Sequence, residues 1–411
     1  MPALAGQAAW SQWIDEARHA DYLGIARGLG VTSLKKSGTA EYIGPCPVCT
    51  GTDRFSINVK KQVCNCRVCG LKGNVIAFVE GVMGCAFIEA VEYINQSPRP
   101  DRSRDETLEE RTLRQTRYAQ RKADYERREA EQRQLEAAKA KRDEELIDAI
   151  LKRAVPLAGT FGEAYLRGRG LRPHERLTKD IKFVPDLDYW GSGDNGVRSI
   201  IHLATLPAIV AIIRDFSGAI IGLSQTYLDP KEPRKWRPEG SPTNSNKKIR
   251  GEKKHGLIRL GRAGETLAIG EGWENCLAFH QLGFGPEDLM LAAAVDLGNL
   301  AGGATGPWEH PVLKDADGRK VRIKNGIPDS QQPGVILPEG VKSVIILGDL
   351  DSETYATAAQ LRVAGIRFRN MGINVDLAWP SAGKDFNDVL IAQTEEELGR
   401  TNDPGTSVSN D

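Results

Sequence analysis

The stretch Leu267–Gly283, LAIGEGWENCLAFHQLG, predicts a strand, a tight turn and a helix. Its apolar run ends at Glu271, and the glycine on either side of this acid allows the backbone to turn sharply. A second stretch, Ser343–Glu353 (SVIILGDLDSE), places Asp349 and Asp351 just past another apolar strand. Residues two apart on an extended chain face the same way, so these carboxylates share one side. Open α/β sheets hold their functional sites at such strand ends.

A third candidate strand, VDLAW at 375–379, is followed by Asp385 and Asp388 in the segment GKDFNDVL. One strand-end acid alone is often only a cap or a loop residue. Acids after three strands predict a shared divalent-cation site, because Mg²⁺ binds through one or two carboxylates, waters and substrate phosphates. The candidate Mg²⁺ or Mn²⁺ ligands are Glu271, Asp349 and Asp351, with Asp385 and Asp388 as outer members.

Strand-like and helix-like segments alternate from about residue 155 to near the C-terminus. From residue 264 onward the alternation is typical of an α/β domain with a largely parallel sheet. Residues 307–340, which are rich in Pro and Gly, look like an insertion in that sheet. No GxxxxGK[ST] motif occurs, so the chain lacks the common ATPase signature.

The length and composition favour a soluble multidomain protein. With 411 residues the chain is too long for one compact core, and 40% of its residues are hydrophobic. No apolar run approaches the roughly 18–20 residues that span a bilayer, and the first residues lack the features of a signal peptide. We therefore expect a cytoplasmic location and no membrane partner.

Five of the seven cysteines fall between residues 46 and 69. The motifs CPVC and CRVC are sixteen residues apart and supply four thiolates, which suit a tetrahedral structural Zn²⁺. The predicted ligands are Cys46, Cys49, Cys66 and Cys69. Cys64 lies on the same candidate strand as Cys66, and we expect it to point to the other face.

The same segment carries residues suited to nucleic acid. Arg54 and Lys72 would contact phosphates, and Phe55 would stack on a base. A purely structural zinc ribbon is the alternative for this segment.

Residues 101–145 form a different kind of segment, in which 13 basic and 13 acidic side chains alternate and few apolar groups occur. Helix formers dominate and opposite charges recur three and four residues apart, but no apolar heptad seam persists. The pattern predicts a long solvated helix that acts as a spacer and lets the zinc ribbon swing.

Basic residues are concentrated before the acidic site. Residues 160–264 hold 19 Lys and Arg against 11 acids, whereas residues 265–411 hold 11 against 22. This asymmetry indicates a polyanion surface beside a cation site. A solvated basic loop is the alternative. The candidate template and nucleotide contacts are Arg214, Lys231, Arg234, Lys235, Trp236, Arg237, Lys247, Lys248 and Arg250.

These motifs together resemble bacterial and phage DNA primases. CPVC…CRVCGLKGNVIAFV is similar to their zinc-binding domain, and AYLRGRGL (164–171) to the opening of their RNA polymerase domain. VAIIRDFSGAIIGL (210–223) is similar to its template-facing subdomain, and IGEG…GDLDSE…GKDFNDV to the Toprim fold. A cysteine replaces the histidine ligand found in many members, and no helicase-binding domain is evident.

The resemblance implies an α/β multidomain chain in which a charged helical linker joins a zinc ribbon to a primase-type RNA polymerase core with a Toprim sheet. The expected division is 1–97 (ribbon), 98–154 (linker), 155–263 (basic subdomain), 264–394 (Toprim subdomain) and 395–411 (polar tail).

The activity implied is the synthesis of short RNA primers from NTPs on single-stranded DNA, with Mg²⁺ or Mn²⁺ and a separate replicative helicase as partner. The catalytic residues implied are Glu271, Asp349 and Asp351. A Toprim-type nuclease would use the same acids, and a zinc-ribbon DNA-binding adaptor would use none of them. A topoisomerase would also require an attacking tyrosine in a further domain.

Overall fold

The computed structural model describes the chain in two compact units, Met1–Lys141 and Arg142–Asp411. The residues described are 3–37, 39–100, 107–192, 200–238, 244–286, 289–314, 318, 320–350, 353–381 and 385–401. Among them no helix is both long and apolar enough to cross a membrane.

The first unit is a five-stranded antiparallel ribbon packed against helices. Its strands follow one another in the sheet in chain order: β1 Lys35–Ser37, β2 Glu41–Cys46, β3 Thr50–Asn58, β4 Val63–Cys66 and β5 Lys72–Gly73. The helices are α1 Ala3–Arg18, α2 Tyr22–Gly28, α3 Val75–Met83 and α4 Phe87–Asn95. Trp13, Phe55 and Phe78 are fully buried in their shared core.

Helix α5, Leu108–Arg153, is continuous over 46 residues, and its first part packs on the first unit. The side chain of Glu16 on α1 is fully buried, and its Oε1 lies 2.7 Å from Arg117 Nε and 3.7 Å from Arg121 Nε. Arg121 Nη1 also donates to Asn95 Oδ1 at 2.7 Å. The prediction of a fully solvated spacer is therefore wrong for this part of the helix, because its arginines neutralise a buried carboxylate.

The last turns of α5 belong to the second unit. Ile147 is buried there against Ile212 and Leu223, so this end of the helix is also packed. The division between the two compact units falls within α5, between Lys141 and Arg142. The predicted domain boundaries at 97/98 and 154/155 stay predictions.

The second unit is built on one sheet of ten strands. Its strands are β6 Val155–Pro156, β7 Ile181–Ser192, β8 Ile200–Arg214, β9 Ile220–Tyr227, β10 Lys247–Gly251, β11 Leu257–Leu260, β12 Thr266–Gly270, β13 Met290–Ala293, β16 Ser343–Leu347 and β17 Asn374–Ala378. The order along the sheet is β10-β9-β8-β11-β13-β12-β16-β17, with β7 paired to β8 and to β6. The predicted boundary at 263/264 falls between β11 and β12 of this sheet.

Strands β13, β12, β16 and β17 are parallel neighbours, as the α/β pattern predicts. The helices of this unit are α6 Phe161–Gly168, α7 Trp273–Gln281, α8 Leu297–Ala301, α9 Thr354–Asn370 and α10 Phe386–Thr401. One core holds α6, α7 and α10, and another holds α8 and α9. The expected α/β multidomain fold with an N-terminal ribbon is confirmed, and the parallel layer is the arrangement that the Toprim resemblance implies.

The predicted insertion contains a hairpin, β14 Pro307–Lys314 and β15 Lys320–Lys324. His310 in β14 is buried, and its Nε2 lies 2.8 Å from Glu353 Oε1. Glu353 caps α9, since its carboxylate accepts from the backbone N–H groups of Tyr355 and Ala356. The hairpin is thereby attached to the segment that follows Asp349.

Replacing Glu16 by Ala should detach the first part of α5, because Arg117 and Arg121 would lose their buried partner. We expect the local opening free energy of α5 to fall by about 2–4 kcal/mol. Hydrogen exchange of peptides covering residues 109–125 measures this loss. Arg127→Ala, which breaks the exposed pair with Asp124, is the matched control and should cost under about 0.5 kcal/mol. Equal exchange in both variants would contradict the packing role of Glu16.

Candidate functional site

The four cysteines of the two CxxC motifs converge at one end of the ribbon. Their sulfur atoms all lie within 4.8 Å of one another. Cys46 Sγ is 3.6 Å from Cys69 Sγ, and Cys49 Sγ is 3.6 Å from Cys66 Sγ. Tetrahedral zinc with Zn–S bonds of about 2.3 Å requires sulfur separations of roughly 3.8 Å. The residues therefore fit a structural Zn²⁺.

The backbone favours the thiolate form at Cys66, whereas burial raises the pKa of Cys46 and of Cys69. Burial raises the pKa of Cys66, but backbone N–H donors at Cys69 and Val68 outweigh it and lower this pKa to about 7.

Cys64 is buried on the same face of β4 as Cys66, whereas Val63 and Asn65 on the opposite face are exposed, and burial raises the pKa of Cys64. The prediction that Cys64 points to the other face is therefore wrong, because residues two apart on a strand share a face, although Cys64 is not among the four clustered cysteines.

The surface predicted to bind nucleic acid is only partly available on this ribbon. Lys72 is exposed and Arg54 is half-buried. Phe55 is completely buried and stacks on Phe78 with ring centroids 5.8 Å apart. The predicted stacking of Phe55 on a base is therefore wrong, because the aromatic ring belongs to the hydrophobic core.

The acidic residues of the second unit lie at the carboxyl ends of parallel strands. In the β12–β16 register Ile269 is level with Ile346, so Glu271 and Asp349 follow neighbouring strand ends. Neighbouring strands are about 4.8 Å apart. A Cβ atom at position 270 would lie only 3.3 Å from Leu347 Cβ. Glycine at this position therefore allows the two strands to approach each other closely. Asp351 lies outside the described residues.

A cavity of about 150 Å³ opens beside Glu271. Lys247 and Asp296 also line it, and Asp296 follows β13 as Glu271 follows β12. Val295 adopts a φ of 74°, which is rare for a β-branched residue. Sequence reasoning missed Asp296, although a further acid after an apolar strand was a usable signal.

The other two predicted acids lie at the start of α10. The backbone N–H of Asp388 donates to Asp385 Oδ1 at 2.9 Å, so Asp385 caps the helix. Asn275 Oδ1 accepts from the backbone N–H of Phe386 at 2.8 Å and ties this start to α7. Both carboxylates stabilise the charged form of Arg169.

A buried ionic network connects these elements. Glu274 of α7 accepts from the Tyr165 hydroxyl at 2.9 Å and lies 3.2 Å from Arg169 Nε and 3.4 Å from Lys235 Nζ. Burial raises the pKa of Glu274, but the charges of Lys235 and Arg169 outweigh it and lower this pKa. Sequence reasoning missed Glu274, Arg169 and Tyr165, although Glu274 stands three residues after Glu271.

The predicted template contacts divide into two groups. Some are occupied by protein: Arg214 forms a bidentate pair with Asp180 at 2.7 and 2.8 Å, Arg250 lies 3.5 Å from Asp143, and the Trp236 ring packs on Tyr189. These contacts give Arg214 a structural role. Three more predicted residues also contact protein groups, since Lys235 and Arg234 pair with carboxylates and Lys248 Nζ lies 5.0 Å from the centroid of the Tyr189 ring. The remaining predicted residues present charge to the surface or to the Glu271 cavity: Lys231, Arg237 and Lys247.

Each unit contains a region that matches a known protein family. Residues 26–109 match the model of the CHC2 zinc finger family, and residues 141–260 match a domain of unknown function, DUF7146. Residues 26–109 are therefore similar to the zinc ribbons of primases.

A DNA primase of Halalkalibacterium halodurans is 38% identical over 86 residues, which are 18% of this chain and 14% of the relative. The resemblance to DNA primases is confirmed by the ribbon match and this relative.

Solved primase structures also align with the chain. The zinc-binding and RNA polymerase domains of the Aquifex aeolicus primase are 16% identical and cover 95% of this chain and 84% of that chain, with a TM-score of 0.35. A DnaG primase catalytic domain bound to ssDNA is 17% identical and covers 64% of this chain and 78% of that chain, with a TM-score of 0.37.

Replacing Cys66 by Ala should abolish zinc binding, because three thiolates cannot complete the tetrahedral site. Metal analysis of the purified chain should give about one zinc per molecule for the parent and close to none for the variant. Cys64→Ala is the matched control on the same strand and should retain the metal. Loss of zinc in both variants would contradict the assigned ligand set.

Replacing Glu274 by Gln should lower the free energy of unfolding of the second unit by about 2–4 kcal/mol at pH 7, because two partly buried cations lose their partner. Because the pKa of Glu274 is lowered in the folded state, its ionised carboxylate stabilises the fold at pH values above 4.5, the ordinary pKa of this group. This contribution is lost as the pH falls through the folded-state pKa. When the pH falls from 7 to 4, the free energy of unfolding should therefore decrease less for the Glu274→Gln protein than for the parent.

Urea unfolding at pH 7 and pH 4 measures both effects. Glu232→Gln, an exposed partner of Arg234, is the control and should change stability by under about 0.5 kcal/mol. A Glu274→Gln protein as stable as the parent at pH 7 would show that the network does not stabilise this unit.

Proposed function

We propose that the chain is a DNA primase that synthesises short RNA primers on single-stranded DNA by Mg²⁺- or Mn²⁺-dependent nucleotidyl transfer. The observation that carries the proposal is the placement of Glu271 and Asp349 at neighbouring parallel strand ends. Two hard carboxylates beside cationic side chains suit a substrate that carries several phosphates. The match to primase-type zinc ribbons supports the same activity.

Glu271, Asp349 and Asp351 are the proposed ligands of the divalent ion, with Asp385 and Asp388 as outer members. Oxygen donors of this kind suit Mg²⁺ and Mn²⁺. When bound, the ion would stabilise negative charge that develops at the reacting phosphate. Asp296, which shares the Glu271 cavity, is a further candidate for this set.

The chain's own cations would position the nucleotide. In primer synthesis the 3′-hydroxyl oxygen attacks the α-phosphorus of the incoming NTP, the bond to the β-phosphate oxygen breaks, and pyrophosphate leaves. Lys235, Lys247 and Arg169 would neutralise the triphosphate and hold the α-phosphorus in line with the hydroxyl. Glu274 would keep Lys235 and Arg169 oriented, since both contact its carboxylate.

The zinc ribbon would contact the template through Arg54 and Lys72. These side chains suit phosphate contacts, which would position the strand without reading its bases. Single-stranded DNA and NTPs are the proposed substrates, and a separate replicative helicase is the proposed partner.

Replacing Asp349 by Asn should reduce oligomer synthesis by at least about 100-fold, because the ion would lose a charged ligand. The assay contains single-stranded DNA, radiolabelled NTPs and Mg²⁺, and gel electrophoresis separates the products. Asp376→Asn, an exposed acid within β17, is the matched control and should retain full synthesis. DNA binding should persist in both variants.

The same assay separates the competing functions. Shortened DNA in place of RNA products would identify a nuclease. Retarded but chemically unchanged DNA would identify an adaptor. Undiminished synthesis by the Asp349→Asn protein would remove this residue from the proposed site.

A further inference from the structure

A second and larger cleft lies at the opposite end of α7 from Glu271. Its volume is about 820 Å³. It is formed by the loop 171–177 after α6, the turn 261–263 between β11 and β12, and the last turns of α7. Helix α7 has nine residues and is about 13 Å long at 1.5 Å per residue. The cleft is therefore separate from the proposed reaction site.

The described walls of this cleft carry only positive or neutral side chains. Arg172, Arg176 and Arg262 line it together with His174 and His280. Within the described part of the chain, no hydrogen bond or ion pair occupies any of the three guanidinium groups. Glu175, on the same loop, is exposed and does not line the cleft. Residues 287 and 288, both acids, lie outside the described residues.

The floor of the cleft is apolar. Leu171, Leu277 and Leu289 are buried beneath it, and Leu177 is half-buried. No Phe, Tyr or Trp side chain occurs among the described lining residues, so the large stacking platform typical of single-strand binding is missing. A cationic rim over an apolar floor suits a compact molecule with several phosphates and an uncharged body.

Side-chain hydrogen bonds hold the loop in place. Gln281 Nε2 donates to the Gly170 carbonyl at 2.9 Å, and Gln281 Oε1 accepts from the backbone N–H of Arg172 at 2.8 Å. The loop is thus fixed to the end of α7, and its arginines stand at a preformed opening. Preformed sites of this kind bind with little ordering cost.

We propose that this cleft binds a nucleoside polyphosphate at a site distinct from the one that polymerises nucleotides. The guanidinium groups of Arg172, Arg176 and Arg262 hold the phosphates, since planar guanidinium donors match phosphate oxygens. The leucine floor accommodates the nucleoside. The proposal does not depend on the primase activity, because it concerns binding alone.

Calorimetric titration of the zinc-loaded full chain with ATP, and separately with inorganic triphosphate, tests this site. No divalent metal is added, which disfavours binding at the acidic site. The Arg176→Ala/Arg262→Ala protein should bind both probes at least about tenfold more weakly. Lys179→Ala/Arg322→Ala removes the same charge from exposed positions of this unit and should bind like the parent.

A second double variant distinguishes the loss of the guanidinium groups from misfolding. Arg176→Lys/Arg262→Lys keeps the charge but loses the planar donors, so we expect an intermediate loss of affinity with an unchanged circular dichroism spectrum. Unchanged ATP affinity in both arginine variants would overturn the proposal, as would an equal loss in the Lys179/Arg322 control. If the alanine variant lost affinity for oligo(dT) but not for ATP, the cleft would be a strand-binding surface instead.

Discussion

The parallel pairing of β12 with β16 is the constraint on which the candidate site depends. These strands are far apart in the chain, and only their backbone hydrogen bonds bring Glu271 level with the segment that carries Asp349. A slip of one residue would turn every side chain of β16 to the opposite face. Because Val344 and Ile346 are buried on one face, the hydrophobic core fixes the register and hence the placement of the acids.

Helix α7 brings cationic side chains close to the sheet edge that carries the acids, because Glu274 on this helix pairs with Arg169 and Lys235. The helix begins two residues after Glu271, and its second residue, Glu274, is buried where Arg169 and Lys235 meet its carboxylate. Each of these cations is partly buried, and each would be costly to hold without an acid. The network thus permits cations from distant parts of the chain to lie beside a site proposed for phosphates.

The sequence predicted the elements more successfully than their contacts. The apolar segments that become β8, β9, β12, β13, β16 and β17 could be recognised from local pattern, and the four cysteines from their spacing. Phe55 could not be placed, because the sequence pattern of an aromatic strand residue next to Arg54 is compatible with an exposed or a buried ring. Nor could the partners of α5, since only the fold shows that Arg117 and Arg121 meet a buried acid that lies about 100 residues earlier.

The pairing of β3 with β4 connects the cysteine cluster of the ribbon to its aromatic core. Phe55 is paired directly with Cys66 between β3 and β4, so the residue at the centre of the core is the cross-strand neighbour of a ligand. Structural zinc contributes folding free energy of its own. Loss of the metal would therefore lower the stability of this unit, and its aromatic interior would be exposed more often to chaperones and proteases.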